Sequence, residues 1–174
     1  MHIRRLGADD AAAYHAFRLD ALRRHPEAFR SDAADEAAKP ASWAVARLLP
    51  SADNPHGFAL GAFDADGRMA GTVVLETTAR LKLRHRADVL GMVVAPALAG
   101  QGVGGLLLQR LVAQARQVPH LELLHLTVTH GNARAIALYE RHGFVRDGVE
   151  RAVMKIGAQY HDKQHMTLAL WSGA

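Results

Sequence analysis

Hydrophobic and polar positions along this chain change period several times, and each change predicts an element. After Asp9 or Asp10, either of which can cap a helix, Ala13, Phe17, Leu19 and Leu22 form an imperfect apolar stripe that stops before Pro26. Residues 30–39 are polar and alanine-rich, with Asp32, Asp35 and Glu36. A second helix is predicted from about Ser42 to Pro50, burying Trp43 or Leu48, with a turn over 51–55. Apolar runs at 57–63 and 69–76 read as strands, joined by Asp64-Ala65-Asp66-Gly67 as a hairpin turn. A basic connection over 80–86 leads into a strand at 87–94, and Leu106, Leu107, Leu108, Leu111 and Val112 lie on a helix that ends near Arg116. Residues 121–129 form the next strand. Asn132 caps a helix that carries Tyr139 and ends at Gly143 in the left-handed conformation. Strands at 144–151 and 165–171 complete the pattern.

No repeat, low-complexity tract or long linker divides these elements, and 174 residues suit one domain with a proper core. The fold class expected is therefore α/β, one domain over 1–174 with a central mixed sheet and helices on both faces. The absence of cysteine excludes a disulfide framework, a thiolate metal site and a Cys nucleophile. No apolar run reaches the roughly 18 residues of a membrane span, and residues 1–20 lack the apolar core of a secretion signal, so a cytoplasmic location is expected. A net charge of +4 is modest. No basic stripe with interleaved aromatics appears, which argues against a nucleic-acid partner.

Gly100, Gly102, Gly104 and Gly105 stand where a strand gives way to a helix, and a helix N-terminus with uncovered N–H groups is a seat for phosphate. Three glycine-rich loops compete for this reading. The P-loop needs Lys-Ser or Lys-Thr after the glycines, and neither follows. The dinucleotide fingerprint is formally met by Gly100, Gly102 and Gly105. However, residues 95–99 separate it from its strand, and Glu122 opens the next strand where an acidic residue should close it. The third is the pyrophosphate loop R/Q-x-x-G-x-G/A after a strand ending V-x-P. Val94-Ala95-Pro96 followed by Gly100-Gln101-Gly102-Val103-Gly104 is similar to it in order and spacing, with Ala99 in the usual Arg or Gln position.

Further along, Asn132, Ala135, Leu138, Tyr139, Gly143 and Phe144 resemble the N-x-x-A-x-x-L-Y-x-x-x-G-F signature of the GNAT superfamily of acyl-CoA N-acetyltransferases. Pro26-Glu27-Ala28-Phe29 is similar to a segment of a broad bacterial group within it. The resemblance implies a GNAT fold: a mostly antiparallel mixed sheet with a splayed strand pair. It also implies acetyl-CoA as co-substrate, a primary amine as acceptor, direct attack in a ternary complex, and a monomer or homodimer. By resemblance, Met92, Val93 and Val94 offer backbone groups to the pantetheine arm and the acyl oxygen. Gly100, Gln101, Gly102, Val103, Gly104 and Gly105 hold the pyrophosphate, Asn132 contacts the cofactor, and Tyr139 protonates the departing thiolate.

The general base is less legible. Relatives that acetylate a ribosomal-protein alanine carry Glu five residues before the motif Asn, and Thr127 stands there. Glu76 and His130 are the candidates, with loss of the proton through ordered water as the alternative. Substrate contacts are expected from Phe29, Glu76, His130 and Tyr160, with the acidic residues 32, 35 and 36 facing a cationic amine or simply solvated. His120, His125 and His130 do not converge, and His161 and His165 sit in a segment leading into a strand, so no metal is expected. A catalytically silent acyl-CoA-binding or sensing domain of the same fold is the rival reading.

Overall fold

The computed structural model describes residues 1–171. Seven strands form one sheet in the order β1-β2-β3-β4-β5-β7-β6. They are β1 (His2–Arg5), β2 (Phe58–Phe63), β3 (Met69–Glu76), β4 (Arg86–Val94), β5 (Leu123–Thr129), β6 (Val145–Ile156) and β7 (Gln159–Ala169). Every neighbouring pair is antiparallel except β4 with β5. The helices are α1 (Ala11–Arg24), α2 (Ala33–Ala37), α3 (Ala41–Leu48), α4 (Val103–Ala115) and α5 (Ala133–Arg141). The mixed, mostly antiparallel sheet with helices on both faces is the fold class expected from the sequence.

Alternation along the strands divides the core. Leu60, Val73, Leu75, Leu124, Leu126 and Met166 meet Leu107, Leu108 and Leu111 of α4 and Ile136 and Tyr139 of α5 on one face. Each fully buried leucine there contributes about 2 kcal/mol over its exposed state. On the opposite face Ala59 and Val74 meet Ala11 and Tyr14 of α1 and Ala44 and Leu48 of α3. This second layer lies on the β1–β4 half of the sheet. On the other half of that face, β5, β7 and β6 present His125, Thr127, Thr129, Lys163, His165 and Glu150.

The β4–β5 pairing runs only from Arg86–Leu123 to Asp88–His125, after which the strands part. At the opening, two residues of β4 oppose Val73 of β3, a bulge centred on Gly91 with φ +59. The extra residue resets the pleat, so Ala87 and Val89 before it and Met92 and Val94 after it all pack toward the α4 layer.

Three expectations need correction. The strand β1 was not read, because only Ile3 of its four residues turns inward and so short a run has no period. β6 and β7 extend toward each other beyond the predicted strands at 144–151 and 165–171. Their outer ends form a hairpin exposed on both faces, which erases alternation. In α1 the buried positions are Ala11, Tyr14, Arg18, Ala21 and Leu22, and Ala13 is exposed. Arg18 can occupy the inner face because Glu36 of α2, at 0% exposure, takes two of its guanidinium hydrogens. Glu36 is therefore neither solvated nor available to a substrate, and Asp32 caps α2 by accepting from Ala34 and Asp35 N–H.

Candidate active site

Two cavities meet where β4 leaves β5. Ala28, Phe29, Met92, Asn132 and Ala135 border both.

The first, about 560 Å3, runs past Met92, Val93 and Val94 to the glycine loop. Gly102 is the N-cap of α4 with φ +81, a left-handed conformation that costs an L-residue about 1–2 kcal/mol. Leu106 N–H returns to the Gly102 carbonyl, whereas the N–H groups of Val103, Gly104 and Gly105 find no acceptor among the described residues. Their dipoles and the helix dipole point positive charge into the cavity. Arg134 and Arg141, two turns apart on α5, add theirs. An Arg134 terminal nitrogen lies 3.6 Å from where a Cβ on Gly100 would be. The loop thus combines free donors, left-handed glycines and two guanidinium groups, a donor set that fits a polyphosphate. Gln101 is the exception within it: its side chain turns back to the Ala97 carbonyl.

Tyr139 lines the other cavity from α5, 7% exposed, with its ring edge-on to Phe144 at 5.8 Å. Asn132 caps that helix by accepting from Ala135 N–H at 3.1 Å. Burial pushes the Tyr139 hydroxyl up to about 12, so it keeps its proton throughout the physiological range.

The second cavity, about 600 Å3, lies over the polar half of the sheet. Lys163, 1% exposed, stands in its floor and donates 3.0 Å hydrogen bonds to the Glu27 and Ala28 carbonyls and to Thr129 Oγ1. Thr129 Oγ1 also donates to the Glu27 carbonyl. The Pro26–Ala28 turn is thereby clamped to β5 and β7, and Phe29 is held at the waist between the cavities. Desolvation, then the charge of Arg30, pushes Lys163 down to about 8, against the pull of Glu27. Asp88, His125, His165 and Glu150 line the same floor, and Arg18, Arg30 and Arg47 contribute to the cavity wall. Arg47 Nε donates to Tyr14 Oη, and the guanidinium has no carboxylate partner among the described residues.

Of the residues singled out in the sequence, Phe29, Met92, Val93, Val94, Gly100, Gly102, Val103, Gly104, Gly105, Asn132 and Tyr139 converge on these cavities. Gln101, Glu76, His130 and Tyr160 do not. Glu76 ends β3 opposite Asp88, exposed and outside both cavities. His130 is exposed, and its N–H goes to the Asp162 carbonyl. Tyr160 is 60% exposed in the outer hairpin with Lys155 Nζ 5.0 Å from its ring. Asp162 instead holds the β6 bulge, accepting from Ala152 N–H and Arg151. The residues missed were Arg134, Lys163, Asp88, Glu150 and the His125–His165 pair. Arg134 sits inside the recognised Asn132–Tyr139 segment and could have been found there. The others meet only across strands. Among the described residues, no three His, Asp or Glu side chains are arranged to hold a metal, and no helix is long and apolar enough to cross a membrane.

The sequence profile of the family described as acetyltransferase (GNAT) family matches residues 15–144. The structure is similar to an acetyltransferase of the GNAT family from Streptococcus pneumoniae, with 27% identity, TM-score 0.83, and 97% of this chain and 98% of that one covered. It is also similar to a Salmonella typhimurium protein proposed to be an acetyltransferase and solved with its cofactor acetyl-CoA, with 23% identity, TM-score 0.78, and 100% and 96% covered. The ribosomal-protein-alanine N-acetyltransferase from Brucella melitensis matches with 22% identity, TM-score 0.77, and 97% and 99% covered. At these identities the last two speak to the fold alone.

Proposed function

Because the chain belongs to the acetyltransferase (GNAT) family, we propose that it transfers an acetyl group from acetyl-CoA to a primary amine by direct attack in a ternary complex. The observation that carries this reading is the unsatisfied N–H row of Val103, Gly104 and Gly105, opening on a cavity that leads past Met92 to its junction with the Tyr139 cavity.

Acetyl-CoA, when bound, supplies an activated thioester. The glycine loop with Arg134 and Arg141 would hold its phosphates, and the open edge of β4 over Met92–Val94 would take the pantetheine arm. A backbone N–H of that edge aimed at the acyl oxygen is worth a few kcal/mol once water is excluded. Asn132 fixes the start of α5 and, through it, Tyr139. The buried phenol is protonated at rest throughout the physiological range. It is a weak acid there, so it donates only as negative charge develops on the leaving sulfur. The acceptor enters from the cavity over the polar half of the sheet. Arg47, without a carboxylate partner, favours an amine that also carries an acidic group over a polyamine.

Calorimetric titration with acetyl-CoA, with CoA and NAD as controls, tests the site. CoA release is then followed with glycine, lysine, 2-aminoethylphosphonate and spermidine. Micromolar acetyl-CoA binding without NAD binding is expected. Tyr139→Phe should lower turnover about 10²-fold or more with acetyl-CoA affinity within twofold of wild type. No acetyl-CoA binding sinks the reading. Binding with no CoA release from a broad amine panel leaves the silent acyl-CoA-binding domain in its place.

A further inference from the structure

Four side chains with no role so far form one line across the sheet. The Asp88 carboxylate on β4 is 2.8 Å from His125 Nδ1 on β5. His125 Nε2 is 2.9 Å from His165 Nδ1 on β7, and His165 Nε2 is 3.1 Å from Glu150 Oε2 on β6. Arg30 donates to the same Glu150 oxygen at 2.8 Å. All five groups line the cavity over the polar half of the sheet.

Counting protons along this line gives it a chemical character. An ionised carboxylate only accepts, so His125 must carry its proton on Nδ1 and His165 on Nε2. Two neutral rings have no more protons to give. The lone pairs of His125 Nε2 and His165 Nδ1 then face each other across 2.9 Å. One added proton turns that repulsion into a hydrogen bond. The line is therefore a base that takes up a single proton at its centre, with a carboxylate at either end stabilising the charge.

We propose that the facing nitrogens of His125 and His165 are the proton seat of the acetyl transfer, receiving through cavity water the net proton that the acceptor ammonium loses. This rests on the acetyltransferase reading. The ammonium gives one proton to the seat, and its freed lone pair forms the C–N bond as the C–S bond breaks. A second proton leaves nitrogen as the amide forms, balancing the one Tyr139 donates to sulfur. The products are the acetamide, the thiol and one proton held between the two rings, which then passes to solvent. Thr127 lies directly opposite His165 in the β5–β7 register.

Occupancy of the seat responds to every charge that faces it. Asp88 from β4 and Glu150 and Asp147 from β6 favour the added proton, while Lys163 from β7 and Arg30 oppose it. Arg18 of α1 and Arg47 of α3 oppose it from the facing wall of the cavity.

Ring-nitrogen spectra of the full chain labelled with 15N-histidine, recorded through a pH titration, test the seat directly. His125 Nδ1 and His165 Nε2 should stay protonated throughout, while His125 Nε2 and His165 Nδ1 gain one shared proton together. Independent protonation of the two rings, or an outer nitrogen without its proton, overturns the proposal whether or not the chain acetylates anything. With the amine that the CoA-release screen selects, kcat/KM should rise with pH along an acid limb that follows the same proton. His165→Gln leaves only the His125 ring of the seat, so it should move that limb and lower kcat/KM about 10²-fold. Glu150→Gln should move the limb to lower pH, since it removes a charge that holds the proton in. Both variants should keep acetyl-CoA affinity within twofold, which reports an intact fold. An unmoved limb in both, with normal acetyl-CoA binding, overturns the role in transfer. If wild type releases no CoA with any amine, the acetyltransferase reading fails instead, and the nitrogen titration alone decides the seat.

Discussion

Arg134 changes the meaning of Ala99. The loop pattern asks for an Arg or Gln side chain at position 99, and Ala99 cannot reach a phosphate. Arg134 approaches the same loop from α5, beside Gly100. A charge-assisted hydrogen bond of about 1.5–3 kcal/mol is at stake. Arg134→Ala should therefore weaken acetyl-CoA binding about tenfold or more, with a larger loss at low salt than at high salt. Adding Ala99→Arg to that variant should restore affinity, both read by calorimetry. Equal affinity in wild type and Arg134→Ala would return the phosphate to the backbone alone. Glu36 carries the opposite lesson. Its neighbours in sequence describe an acidic surface loop, and only the packing of α1 on α2 reveals that it neutralises a buried guanidinium. No residue pattern announces that pairing, because eighteen positions separate the two partners.

The glycine loop and the β4 bulge make the two cavities meet. Helix α4 begins on Gly102 in the left-handed region, and no atom would contact a Cβ built there. A substitution at Gly102 thus probes backbone conformation and not space. Gly102→Ala should cost about 1–2 kcal/mol, lowering the melting temperature by about 3–6 °C for a chain of this size. It should also weaken acetyl-CoA binding by turning the N–H row away. Unchanged stability and affinity would mean that the loop can reach its geometry without a left-handed residue. The elements with strong local signals were legible in advance: the β2–β3 hairpin, the Asn132 cap, the Gly143 terminus at φ +87 and helix α4. β1 and the outer β6–β7 hairpin were not, because β1 turns only Ile3 toward the core and the hairpin is exposed on both faces, so neither leaves a hydrophobic period.

Across the whole molecule, titration of paired groups sets a pH profile for stability. Asp10 is held below its ordinary value of 3.8, chiefly by hydrogen bonds from Arg4, and Asp162 chiefly by the Ala152 N–H and then Arg151. Folding therefore gains from both above that range and loses the gain as pH falls through their folded values. Lys163 has the same sign in a higher window. Its folded value near 8 lies below the 10.5 of an unfolded lysine, so between those values the unfolded chain binds more protons and folded-state stability rises with pH. Tyr139, at about 12 against 10.0, opposes this only above pH 10. Urea midpoints should drop below about pH 4, and the difference between wild type and Lys163→Met should grow in favour of wild type from pH 8 to 10. A constant difference would mean that Lys163 keeps an ordinary affinity for its proton. By itself, the sequence determined what is local: caps, left-handed glycines, helical and strand periods, and with them the glycine loop and the Tyr139 helix. Each depends on residues within a few positions of one another. Tertiary structure alone decided the rest. Inserting β7 between β5 and β6 sets His165 beside His125 across forty positions, and it brings Lys163 beneath the Pro26–Ala28 turn. Which strands become neighbours is chosen by burial of the whole sheet against its helices, a long-range balance that no short stretch of the chain contains.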